Sequence, residues 1–129
     1  MKRVLFLFVA LLSMIATYAA DSPKISVDNI THNFGTINEG VGPVNHDFVI
    51  TNTGNAPLII ISATASCGCT TPDIPRQPIK PGESAKLHVT FDPIGRPGEF
   101  DKIIKVKTNI KGDRTTLRIK GTVIPANRQ

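Results

Sequence analysis

The chain of 129 residues has no tryptophan, one tyrosine and only two cysteines. The cysteines are separated by a single residue, Gly68, so they cannot form the bridge between two sheets that marks an antibody-type domain. The buried tryptophan that accompanies that bridge is missing as well. Nowhere do five or six like charges run together, which removes the signature of a nucleic-acid site or a polybasic membrane site. After the first twenty residues no apolar run approaches the roughly 20 residues that a helix needs to span a bilayer. No glycine loop of the phosphate-cradling kind occurs, and Asp47, Asp73, Glu83, Asp92 and Asp101 are scattered singly. Catalytic residues are therefore expected to be none, and the chain is not expected to be an enzyme.

The N-terminus has a definite pattern. Met1-Lys2-Arg3 precedes an apolar stretch from Val4 to Leu12, and small residues lead to the first acidic residue, Asp21. Basic start, apolar centre and small-residue end describe a secretory signal peptide over residues 1–20. Thr17 suits the minus-three position for cleavage after Ala19, whereas cleavage after Ala20 would place the bulkier Tyr18 there. Loss of Lys2 and Arg3 lowers the formal charge from +5 to +3, too small a surplus to imply a partner. Residues 21–129 are expected to be one domain outside the cytoplasm, in the periplasm or secreted, of a size that supports one core.

Within that domain, helical periodicity is nearly absent. Ten prolines and ten glycines punctuate short runs rich in Val, Ile, Thr and Phe. This predicts an all-β domain, an immunoglobulin-like antiparallel β-sandwich of about seven strands. Strands are expected at Lys24–Asp28, His32–Ile37, Val44–Thr53, Leu58–Thr64, Ser84–Asp92, Phe100–Thr108 and Arg114–Val123. Alternation points Phe48, Ile50, Leu87, Val89, Phe91, Leu117 and Ile119 inward. The almost wholly apolar Leu58–Thr64 reads as a central strand covered on both faces. Pro72, Pro75 and Pro78 make the next segment an edge or an irregular crossing. Outward Lys105, Lys107, Arg118 and Lys120 read as a solvated face that discourages edge pairing.

Ser66-Cys67-Gly68-Cys69-Thr70 is where chemistry beyond folding would sit. In an extended segment Cys67 and Cys69 share a face with Cα atoms about 6.5 Å apart, at the limit of disulfide reach. Gly68 permits a bend between them. Four states remain open: a reducible disulfide, a pair of free thiols, a metal site, and intermolecular bridging or thiol exchange. Copper(I) is the metal that suits soft thiolates, and the only candidate ligands are Cys67 and Cys69. Met1 and Met14 would leave with the signal peptide, and nothing in the sequence brings His32, His46 or His88 to the cysteines. His88 alternates outward, and His46 lies in register with Phe48 at the core edge.

Several elements occur together: His32–Ile37, Phe48-Val49-Ile50-Thr51-Asn52-Thr53-Gly54, Pro57–Ile60, Ser66–Thr70, Ile79–Ala85, Val89–Pro93 and Lys120-Gly121. In this order they resemble the bacterial secreted domain-of-unknown-function family fifteen-seventy-three over nearly the whole mature chain. The Thr-Asn-Thr-Gly and Pro-Gly-Glu elements are also similar to the sperm-protein and hydin-like immunoglobulin domains. The resemblance implies the fold and an extracytoplasmic address, and it adds no reaction and no cofactor. The functional expectation is a non-catalytic module that contacts a protein or another envelope component. The alternative is a thiol-based redox or copper-handling protein. The exported protein is expected to begin at Ala20 or Asp21. Intact mass measures this, and retention of Met1–Ala19 in a membrane fraction would refute it.

Overall fold

The computed structural model describes residues 20–126, so the signal-peptide reading of 1–20 lies outside the described residues except for Ala20. Eight strands follow in order: β1 (Ile25–Val27), β2 (Thr31–Asn38), β3 (Val44–Asn52), β4 (Ile60–Ala65), β5 (Thr70–Asp73), β6 (Ser84–Phe91), β7 (Gly98–Thr108) and β8 (Thr115–Ile124). They form two four-stranded sheets, ordered β1-β3-β6-β5 and β2-β8-β7-β4. Every pairing is antiparallel except β2 with β8, which run parallel. The expected sandwich is present, with one strand more than about seven and with this one parallel ladder.

The inner faces follow the alternation of the sequence. Phe48 lies opposite Leu87, and Ile104 opposite Leu117, so each sheet presents paired aliphatic and aromatic side chains to the other. Phe48, Ile50, Leu87, Val89, Phe91, Ile104, Leu117 and Ile119 are all fully buried. Cys69, Ile79, Phe100 and Val123 join them. Phe100 lies opposite Gly121, where an added Cβ would come within 2.9 Å of the ring and 2.8 Å of the Gly35 carbonyl oxygen. Glycine at 121 thus makes room for the aromatic ring and for the β2 backbone.

The Leu58–Thr64 run is not a central strand. β4 is the last strand of its sheet, and Ile59 and Ile61 are 43% and 50% exposed. Leu58 and Ile60 point into the core, and Leu58 bridges to Ile79 in the connection between β5 and β6. A continuous apolar run can mean burial on both faces or one buried face beside outward aliphatics, and here it is the second.

Asn52, at the end of β3, is fully buried and fully hydrogen-bonded. Its Nδ2 donates to the carbonyls of Ala56 (2.7 Å) and Ile79 (2.9 Å). Its Oδ1 accepts from the amides of Lys24 (3.3 Å) and Gly54 (2.9 Å). Its own amide donates to the Glu83 carbonyl, and its carbonyl accepts from the Gly82 amide. One side chain therefore ties the segment before β1, the turn after β3 and the approach to β6.

Phe91→Ala is expected to cost about 3–5 kcal/mol, as large-to-small core changes do. Asn52→Leu is expected to cost on the order of 3–5 kcal/mol, because it strands two carbonyls and two amides. His88→Ala on the outer face should change little. Chemical denaturation of the three variants checks the order.

Candidate functional site

The cysteines lie where the chain leaves one sheet for the other. β4 ends at Ala65 on the edge of its sheet, and β5 begins at Thr70 on the edge of the facing sheet. The short crossover between them is held at both ends by backbone hydrogen bonds. The Ser66 amide donates to the Ile103 carbonyl at 3.2 Å, and the Asp92 amide to the Cys69 carbonyl at 2.9 Å. A turn closes in between, with the Thr70 amide donating to the Cys67 carbonyl at 3.3 Å. This turn brings the Cα atoms of Cys67 and Cys69 to 5.3 Å, closer than an extended segment allows, and their sulfurs are in bonding contact.

The edge position agrees with the three prolines that follow, but the pair is not openly exposed. Cys69 is 3% exposed and belongs to the core, beside Thr70 at 4%. Cys67 is half-buried and Gly68 is exposed. The Cys69 amide donates to Cys67 Sγ at 3.1 Å, and Cys69 Sγ lies 3.8 Å from Thr70 Oγ1. Gly68 has no positive φ, and an added Cβ would meet nothing within 4 Å. The turn does not need glycine sterically. The crossover meets solvent over Ser66, Gly68 and the outer side of Cys67.

The histidines are engaged elsewhere. His88 Nδ1 lies 2.5 Å from Asp47 Oδ1 across the β3–β6 ladder, where the two residues are register partners. This hydrogen bond holds the Asp47 carboxyl below its ordinary pKa; burial opposes it as the next largest effect, and the charges of His88, Lys86 and His46 add to the lowering. His46 does more than edge the core. Its ring stacks on that of His32 at 3.7 Å and meets Phe48 edge-on at 4.7 Å. His32 meets Phe34 edge-on at 4.5 Å, Phe34 lies 6.3 Å from Phe100, and Phe100 stacks on Phe91 at 4.1 Å. Six rings thus run from the core to the side of the sandwich, joining β2 to β3. The pattern was present in the alternation of His32 with Phe34 and of His46 with Phe48, but it shows only once the two strands face each other. Among the described residues no three His, Cys, Asp or Glu side chains converge as a metal site would need.

Two facing four-stranded sheets with these crossings form an immunoglobulin-like sandwich. The ASH/PapD-like domain 7 of human CEP192 superposes with a TM-score of 0.64 at 17% identity, covering 87% of this chain and 93% of that domain. A protein of unknown function from Porphyromonas gingivalis W83 is similar at 20% identity and a TM-score of 0.69, with 84% of this chain covered. This chain spans only about half of that protein, since 50% of its length is matched. The VesB protease of Vibrio cholerae is similar over 89% of this chain and 35% of its own, at 18% identity and a TM-score of 0.62. At these identities the likeness concerns the fold. The chain belongs to the family described as Protein of unknown function (DUF1573), whose model matches residues 25–123. No curated protein matches it by sequence.

Burial, and then the neighbouring His32, lower the His46 pKa from 6.5, while Asp28 and Asp47 oppose the shift. The unfolded chain therefore takes up a proton below about pH 6.5 that folded His46 resists, and stability falls as pH drops through that window. His46→Phe is expected to flatten this loss. Melting temperatures at pH 7.5 and about 5.5 measure it, with equal losses in both proteins ruling the account out.

Proposed function

We propose that this domain is a non-catalytic, extracytoplasmic binding module that contacts another protein through a sheet edge. The observation that carries the reading is β4, an edge strand whose Ile61, with Ile59 just before the strand, is turned to solvent beside its unpaired side. Large aliphatic side chains next to an open strand edge favour contact with another chain. Family membership supports the fold of the module without naming a reaction. The basic, apolar and small-residue order of residues 1–20 supports export.

A second reading has its own support. Cys67 and Cys69 hold their sulfurs in bonding contact, with Cys69 in the core and Cys67 half-buried. A ring closed over so short a loop removes little unfolded-chain entropy, so the pair gains little for the fold by bonding. Such a pair suits thiol exchange, or copper(I) once reduced.

Capture from the native envelope, with and without reductant, separates the two readings. A binding module keeps its partner in the Cys67→Ser/Cys69→Ser variant and loses it in Ile59→Ser/Ile61→Ser. A thiol protein shows the reverse. A partner retained by both variants would refute the edge as the contact.

A further inference from the structure

Two sheets of this kind have four edge strands, and three of them are guarded. β1 has three residues. β5 has four and contains Pro72. β2 is interrupted between Asn33 and Thr36, where Gly35 takes φ +69°. Shortness, proline and bulges are the usual means of blunting an edge. β4 reads Ile-Ile-Ser-Ala-Thr-Ala, with neither proline nor charge.

Its irregularity is confined to one end. Pairing with β7 shifts between Ile60 and Ser62, then runs in register through Ala65 opposite Ile104. The Ser66 amide donates to Ile103, so the antiparallel alternation turns the backbone groups of Ser62 and Thr64 toward β7. Those of Ala63 and Ala65 point away from β7, to the open side. On the outer face Thr64 lies opposite Lys105, and Ser62 opposite Lys107. These lysines are on β7, one strand in, so they do not block the edge itself.

Two grooves of about 340 and 620 Å³ follow this outer face and share Thr64 and Lys105. The first adds Ala65 and Ile103, and is mostly apolar. The second adds Lys107 and Arg114. The carboxylate that lines it, Asp113, is already engaged by the hydroxyls of Thr108 (3.2 Å) and Thr115 (3.0 Å). Lys105 and Lys107 therefore stand one strand in from the open edge, and Arg114, just before β8, two strands in.

We infer that β4 receives an extended acidic segment of another polypeptide as an added antiparallel strand. Main-chain hydrogen bonds form at Ala63 and Ala65, and carboxylates at alternate positions on the outer face reach across the small side chains of Ser62 and Thr64 toward Lys107 and Lys105. This rests on the binding-module reading and specifies the chemistry of its partner. A second copy of the chain fits less well, because two joined β4 strands would offer Lys105 and Lys107 no carboxylate from the added strand, whose own residues carry no charge.

The test uses a short dye-labelled peptide alternating glutamate and valine, with a lysine–valine peptide of equal length as its counterpart. Fluorescence anisotropy is expected to show the acidic peptide binding about tenfold more tightly, with added salt narrowing the gap. Lys105→Glu/Lys107→Glu should reverse the order. Ala63→Pro removes an amide on the open side and leaves the ladder to β7, so it should abolish binding while the protein still melts cooperatively. If that variant does not fold, amide shifts on titration of the unaltered protein decide, with the largest changes expected at Ala63 and Ala65. Equal binding of the two peptides, unchanged binding by folded Ala63→Pro, or shifts centred elsewhere would overturn the proposal. A dimer that Ala63→Pro disperses would also overturn it, in favour of a second copy. An envelope partner held through another surface would leave the binding-module reading standing while this one falls.

Discussion

The sandwich depends on the satisfied burial of one amide side chain. Asn52 sits where three segments meet, and its four side-chain hydrogen bonds reach all three. Buried amides are tolerable only when paired, and a fully paired one fixes the relative placement of everything it touches. It sets where the chain enters β1, how β3 turns toward β4, and where Ile79 lies. Through the Leu58–Ile79 bridge it also fixes the point at which β4 begins. Gly54 belongs to the same arrangement. A Cβ there would come within 2.3 Å of the Ser22 carbonyl oxygen, so the entering segment can lie against the turn only over glycine. The Thr-Asn-Thr-Gly element is thus a joint between segments.

This joint fixes the start of β4, which then runs along its sheet edge to the cysteine crossover. The crossover is short because the two edges lie on the same side of the sandwich. Cys69 is drawn into the core as β5 pairs with β6, and Thr70 then lies opposite Phe91. The cysteine pair and the open edge are therefore neighbours in the chain. They remain distinct chemically, since one is sulfur at a turn and the other is backbone and aliphatic surface.

The sandwich and most of its core were legible in the sequence, because alternation in β3, β6, β7 and β8 reports directly which side chains point inward. Phe48, Leu87, Phe91 and Leu117 could be placed from that pattern alone. β4 could not, because its apolar run carries no contrast between faces, and only the strand order shows that one side is open. The cysteine pair was legible as a location. The burial of Cys69 was not, since it depends on the turn that lets β5 reach β6. The parallel β2–β8 ladder and the His32–His46 stack join residues far apart in sequence, for which local periodicity carries no signal.

The parallel ladder has a consequence for how the molecule acquires its shape. Thr31 pairs with Arg118 and Asn38 with Ile124, so β2 waits for β8 before it has any strand partner. β7 can pair with β4 beforehand, but β8 stands between β2 and β7 in the sheet. Half of the sandwich therefore cannot close until nearly all of the described chain has been synthesised. Contacts of such long sequence separation also form slowly, since the loop must close before they contribute. A chain built this way keeps one of its two sheets incomplete while it is being made, and β2 is locked in place only after β8 is free.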